Sequence, residues 1–298
     1  MSQLNLPPRK RSGAPDWERE AHHWPNSQYS EFHQIQRLIW HVQRVGTGPV
    51  ALLIHGTGAA THSWSGLIPL LANRFEVIAI DLPGHGFTYT PPGFVPGLPQ
   101  ITKELLALLK ALRVDPHLII GHSAGAAIGI TLTEILPEPP AAVVSINGAL
   151  KPFEGIMGVI APPVARIFSF GGVAAKALSF NAKDVRRVRR LLEDTGSSVD
   201  DQTLKNYHCL MKYPAHIQGT LQMMANWDLS DVERICSCLS VLTLFIVGDR
   251  DRAVSPGESR RMAEITPNSE YISLDDLGHL AQEESPEQIN EILINHAL

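Results

Sequence analysis

Charge is scarce in this chain, and its balance is mildly acidic. Charged residues make up 18% of the 298 positions and the formal net charge is −5, so the cationic surface that nucleic-acid binding requires is missing. Cysteine is scarcer still. Cys209, Cys236 and Cys238 form an odd set of three with two of them one residue apart, which excludes a disulfide framework, fits a reducing cytoplasm and gives the wrong spacing for zinc. No apolar run is long enough to cross a bilayer, because Gly, Pro or a charge interrupts each one, so no transmembrane segment is expected. The opening MSQLNLPPRKRSGAPDWE carries Pro and charge where a secretion signal would carry its greasy stretch. There is no dinucleotide-type glycine loop, no P-loop and no metal-ligand cluster, so no cofactor is expected. Internal repeats and low-complexity tracts are absent too.

What is present is a 44% hydrophobic chain, long enough for one large domain or a domain with an insertion. Residues 1–30, rich in Pro, Arg and polar side chains, read as a flexible tail whose large anchors are Trp17 and Trp24. Phe32–Gln36 and Ile39–Val45 alternate apolar with polar residues, the pattern of two half-buried antiparallel strands. From Val50 the texture changes to short continuous apolar runs: VALLIH (50–55), VIAID (77–81), LIIG (118–121), AVVSIN (142–147), LTLFIVG (242–248) and EYISL (270–274). Amphipathic patterns such as ITKELLALLKAL (101–112) lie between most of them, and 285–298 reads as a closing helix. Buried strands alternating with helices give an α/β fold with a mostly parallel sheet covered on both faces. One stretch, 150–240, has no such strand. Its segments 164–178, 184–194 and 203–213 each suit a helix, which predicts a helical cap inserted into a core made of 31–149 and 241–298.

The chemistry concentrates at strand ends. Gly121-His122-Ser123-Ala124-Gly125 joins a buried strand to a helix of small residues. A nucleophile on such a turn has a strained backbone, and glycines two residues to either side remove side chains that would clash. The bland alternative is a tight turn with an ordinary serine, but the flanking strand and helix make the motif far more specific than five residues alone. His55-Gly56-Thr57-Gly58 follows the first buried strand. The N–H groups of Thr57 (or Gly58) and of Ala124 can converge on an oxyanion there, although a loop that merely turns is an equal reading. Gly248-Asp249-Arg250-Asp251 offers two carboxylates after the penultimate strand; the Gly-x-x-Asp spacing selects Asp251, leaving Asp249 to brace the loop. His279, between Gly278 and Leu280 after the last strand, is placed to act as the base. Asn147, at the end of an earlier strand, cannot supply an anion. The other histidines, His22, His23, His41, His62 and His85 among them, read as surface or packing residues. Asp81, Gly84 and Gly86 read as a turn tether without chemistry.

Together these motifs resemble the α/β-hydrolase superfamily from about Ile35 to Leu298. More narrowly, the strings His55–Trp64, Asp81–Thr88, Gly121–Ile128 and Ile146–Phe153, with Trp24-Pro25-Asn26 and Trp227-Asp228-Leu229, resemble the magnesium chelatase accessory proteins of bacteriochlorophyll biosynthesis. The resemblance implies an α/β-hydrolase fold with nucleophile, acid and base at Ser123, Asp251 and His279. It also implies a phototrophic bacterium, a role near magnesium insertion into protoporphyrin, and contact with magnesium chelatase or a photosynthetic membrane.

Two functions follow. One is a serine hydrolase acting on an ester-type bond of a hydrophobic small molecule. The other is a non-catalytic accessory protein that binds a tetrapyrrole or docks on the chelatase, its triad vestigial. Haloperoxidase-like and carbon–carbon bond hydrolases share the triad and differ only in the pocket. Ile156–Ile160, Ile167–Phe170 and Leu221–Met224 carry the apolar surface expected to roof that pocket, or simply to pack on the core, with Gly155, Gly158, Gly171 and Gly172 as flex points. Arg186, Arg187, Arg189 and Arg190 read as a solvated face or as partners for a propionate or phosphate.

Overall fold

Apolar runs and amphipathic helices alternate from Val50 onward, and the chain folds accordingly. The computed structural model describes residues 12–151 and 172–297. Eight strands form one sheet: β1 (Ser30–Ile35), β2 (Leu38–Val45), β3 (Val50–Ile54), β4 (Glu76–Ile80), β5 (Pro116–His122), β6 (Ala142–Ile146), β7 (Leu242–Gly248) and β8 (Ser269–Leu274), in the order β1-β2-β4-β3-β5-β6-β7-β8. The alternating segment supplies the antiparallel edge, β1 on β2 and β2 on β4. Every pairing from β4 across to β8 is parallel.

Strands covered on both faces explain the unbroken apolar runs. Leu52, Ile54, Ile78, Ile80, Ile119 and Val143 turn to one side, where they meet Ile101, Leu105 and Leu108 of the helix Leu98–Leu112 and the helix Ala124–Thr133. Their neighbours Ala51, Leu53, Val77, Ala79, Leu118 and Ile120 turn to the other, against Trp64, Leu67, Ile68 and Leu71, and against Ile289 and Leu293 of the closing helix Pro286–His296. Each fully buried Leu or Ile contributes roughly 2 kcal/mol by leaving water.

Two expectations need correction. The tail predicted through residue 30 is packed from its first short helix, Trp17–Glu20. Trp24 is buried and donates from Nε1 to Thr61 Oγ1 (3.1 Å), Trp17 lies edge-on to Phe32 and Phe87, and Gln43 donates to the Pro25 carbonyl (2.7 Å). Two indoles outweigh the polar composition around them, because a single aromatic can bury as much apolar area as several small side chains. Between β6 and β7, the described residues hold five helices rather than three: Val173–Asn181, Val185–Glu193, Asp201–Met211, Pro214–Ala225 and Val232–Cys238. The last two are additional; Pro214 sits at the first helical position, where its missing N–H costs nothing. Residues 164–171 of the first expected helix, the segments 156–160 and 167–170, and Gly155, Gly158 and Gly171 lie outside the described residues.

Candidate active site

β5 runs directly into Ser123, whose φ of 53° and ψ of −119° are strained for a residue with a side chain. Three backbone hydrogen bonds hold the strain. Ser123 N–H donates to the Ile146 carbonyl (3.0 Å), and its own carbonyl accepts from Ala126 (3.1 Å) and Ala149 (3.1 Å). The flanking glycines are sterically required: a Cβ on Gly121 would stand 2.4 Å from the Gly125 carbonyl oxygen, and one on Gly125 would stand 2.0 Å from that of Ile54. The helix Ala124–Thr133 therefore presses its small residues onto the end of β3, with Ala124 as its first residue. Gly56 lies against the same spot, since a Cβ there would meet the Ser123 Cβ at 2.9 Å. The loop carrying Thr57 and the residue Ser123 are thus neighbours.

On the far side of β6, His279 Nδ1 meets Asp251 Oδ2 at 2.8 Å, both residues buried. The other Asp251 oxygen accepts the N–H groups of Ala253 (2.8 Å) and Val254 (2.9 Å), which fixes the carboxylate's orientation. With a carboxylate at Nδ1, the ring carries its proton there and presents Nε2 as the basic nitrogen. Asp249 has a different task, accepting the Asp276 N–H at 2.8 Å. Asn147 does not meet the imidazole: its amide donates to the carbonyls of Gly278 and His279 (2.9 Å each) and accepts from Gly248 N–H (2.9 Å). His122, next to Ser123, donates from Nε2 to the same His279 carbonyl (2.8 Å), its ring 4.8 Å from the His279 ring. Burial drives its basicity well below that of a free imidazole, so it remains neutral.

Residues 51–292 match the alpha/beta hydrolase family model. The chain belongs to the alpha/beta hydrolase family. A Magnesium-chelatase 30 kDa subunit of Rhodobacter capsulatus is 34% identical to this family member over 91% of the chain and 95% of that protein. A pimeloyl-[acyl-carrier protein] methyl ester esterase of Aeromonas hydrophila is 27% identical over 85% of the chain and 96% of its own length. An alpha/beta hydrolase fold protein from Burkholderia ambifaria superposes with a TM-score of 0.77 at 20% identity, covering 90% of the chain and 97% of that structure. The hydrolase fold is thus shared in sequence and in structure.

Two of the ties between the alpha/beta hydrolase core and the segment between β6 and β7 lie beside the candidate site, and the sequence motifs mark neither. The first is the turn Thr195–Ser198. Arg252 N–H donates to the Thr195 carbonyl (3.0 Å), Leu280 N–H to Ser197 Oγ (2.9 Å) and Ser198 N–H to Glu284 Oε2 (2.8 Å), while Glu284 Oε1 takes Gly278 N–H (3.0 Å). The turn is wedged between the Asp251 and His279 loops so tightly that a Cβ on Gly196 would lie 1.9 Å from the Arg250 carbonyl oxygen. The second is His216. Its Nδ1 accepts Gly86 N–H (3.1 Å) and its Nε2 donates to the Gly58 carbonyl (3.1 Å), which anchors the Thr57 loop; burial pushes its ring down to about 4. Thr57 Oγ1 reaches Met223 Sδ at 3.8 Å on the same helix.

Asp81, His41, His62 and His85 are buried packing residues. Burial alone would raise the Asp81 carboxyl, but His41 Nδ1 at 2.7 Å and the Phe87 N–H outweigh it and hold the group below the usual carboxylate range. Its second oxygen takes Thr61 N–H (2.7 Å). Glu283 is the opposite case. Desolvation pushes it up to about 7, against the hydrogen bonds from Ser63 (2.6 Å) and from Tyr207 (2.8 Å), the latter on the helix Asp201–Met211. A cavity of about 440 Å³ lies beside Gly84, His216, Gly219 and Asn226, and Ser123 is not part of its lining. Among the described residues no helix is long and apolar enough to cross a membrane.

Proposed function

We propose that the protein is a serine hydrolase acting on an ester-type bond of a hydrophobic small molecule. The observation carrying this reading is the strained, glycine-flanked Ser123 at the head of a helix, together with an Asp251–His279 pair that leaves Nε2 basic. In this reading His279 takes the Ser123 hydroxyl proton as Oγ attacks the acyl carbon, then returns it to the departing alcohol, while Asp251 steadies the imidazolium. The N–H groups of Ala124 and Thr57 receive the charge that develops on the acyl oxygen. Each such donor is worth about 3 kcal/mol in the transition state. Segment 150–240 acts as a cap, and its turn Thr195–Ser198 holds the acid and base loops in place.

The substrate's setting is proposed from the relative's name. A chain 34% identical to a Magnesium-chelatase 30 kDa subunit along nearly its whole length is read as accessory to magnesium insertion in bacteriochlorophyll biosynthesis, peripheral to the photosynthetic membrane. That same likeness favours a second reading, a tetrapyrrole-binding or chelatase-docking protein whose triad is unused.

A fluorophosphonate probe separates the two. The hydrolase reading expects covalent labelling that disappears in Ser123→Ala and slows in Asp251→Asn, with turnover of acyl esters following the same order. Absence of labelling in the parent protein, with saturable binding of protoporphyrin or its magnesium form, would establish the second reading.

A further inference from the structure

The exposed large apolar side chains are unevenly distributed. Val173, Leu178, Phe180, Val185 and Leu191 lie within two consecutive helices, Val173–Asn181 and Val185–Glu193, with Val173 at 74% and Phe180 at 70% exposure. On the first helix Val173 and Phe180 stand opposite the buried side; on the second, Val185 and Leu191 border the buried stripe and the outward side is charged. Ala175, Ser179 and Ala182 turn inward from the first, and Val188 and Leu192 from the second, where they join a small core with Ala59 and Leu280. The outward apolar residues are therefore not a frustrated core. Val173 and Phe180 stand on a side that the described residues leave to solvent, and clustered exposure of this kind marks an interaction site.

The same two helices are dense in exposed cations. Lys176, Lys183, Arg186, Arg187, Arg189 and Arg190 lie along 173–194 against three carboxylates, Asp184, Glu193 and Asp194, and Asp201 of the next helix takes Arg189 at 2.6 Å, on a chain whose net charge is −5. Asp184 is taken up by Arg186 at 3.0 Å and more loosely by Arg187, and Glu193 by Arg189. Among the described residues, Lys176, Lys183 and Arg190 have no carboxylate within ion-pair reach. Lys183 instead sets its ammonium 5.1 Å from the centre of the exposed Phe180 ring.

We propose that these two helices form a docking surface for an anionic lipid bilayer. Cations interleaved with single aromatic and aliphatic side chains suit a bilayer interface, where the charges meet lipid phosphates and the apolar groups enter the acyl boundary. A folded protein partner fits less well. The centre of a protein interface is depleted in lysine and asks for a shaped apolar patch, whereas here the most exposed aromatic already has a lysine over it. Lipid needs no complementary shape. The proposal rests on this surface alone and not on the reaction assigned to Ser123.

Flotation of the full-length protein with vesicles tests it. Vesicles of phosphatidylcholine mixed with phosphatidylglycerol should carry the protein, pure phosphatidylcholine should not, and added salt should release it. The paired Arg187→Glu and Arg190→Glu variant should lower partitioning at least about tenfold, and Phe180→Ser should also weaken it. Circular dichroism should show all three variants, Ser123→Ala included, as folded as the parent, and Ser123→Ala should float like it. Failure to float with anionic vesicles, or flotation unchanged by the double charge reversal, would overturn the proposal. Equally tight, competing capture by a soluble polyglutamate would overturn it too, by showing a site for acidic protein segments. None of these outcomes touches phosphonate labelling of Ser123, so the two proposals fail separately.

Discussion

Replacing Glu283 by Gln should make the protein more stable in mild alkali, and the size of the gain can be worked out. The carboxyl is half-buried, and desolvation pushes it up to about 7, whereas an unfolded chain returns it to its ordinary value near 4.5. A carboxyl whose folded pKa is raised favours the native state below the unfolded pKa and loses that contribution as pH rises through the folded one. Between those limits the parent protein therefore gives up about 3 kcal/mol through this one group. Glutamine keeps the carbonyl oxygen that accepts from Ser63 (2.6 Å) and Tyr207 (2.8 Å), and it does not ionise. Urea unfolding of both proteins across pH should show Glu283→Gln within about 1 kcal/mol of the parent near pH 5 and ahead by about 3 kcal/mol near pH 8. A difference that stays flat with pH would refute the reasoning, because it would mean that Glu283 titrates alike in both states. A difference that grows toward acid would reverse its sign.

Two further outcomes follow from the backbone at the candidate site. Ser123→Gly should be more stable than Ser123→Ala by about 1 kcal/mol, since only glycine relieves the positive φ; thermal melts compare the two directly, and equal melting temperatures would remove the strain argument. Gly196→Ala forces a Cβ onto the Arg250 carbonyl oxygen at a φ of +88° and should cost about 2 kcal/mol of stability. Under the hydrolase reading, ester kinetics should show kcat lowered far more than KM, because the substitution displaces the Asp251 and His279 loops.

The parts legible in the sequence are those encoded within a few neighbouring residues. VALLIH and LTLFIVG announce strands buried on both faces, because apolar side chains point to either side, and the alternating Ile39–Val45 announces the antiparallel strand that joins β1 to β4. The Asp251–His279 contact follows from two local spacings, each at a strand end that parallel topology brings together. What escaped depends on the far side of a contact. Trp24 reads as an anchor in a polar tail until Thr61 and Phe87 stand beside it. Gly219 reads as a weak point in a helix, yet it permits backbone contact with Gly84, where a Cβ would come 2.0 Å from the carbonyl oxygen. Ser197, Glu284 and His216 carry no signal at all, since serine, glutamate and histidine are ordinary surface residues and their partners lie about eighty or more residues away or across the fold. His122 is the exception that could have been read: a histidine inside the elbow motif has a ring that must go somewhere, and it goes under the His279 carbonyl.

The turn Thr195–Ser198 bears on how such a protein can diversify. A segment inserted between two strands is ordinarily a movable module: exchange it, and the ligand preference changes while the machinery below is untouched. Here the module reaches down to grip both the Asp251 and the His279 loops, through Arg252, Gly278 and Leu280. A graft taken whole from a relative would import a new grip together with a new roof, and rate would change along with preference. Chimeras that retain Gly196, Ser197 and Glu284 while exchanging residues to either side are the ones in which the two properties should come apart.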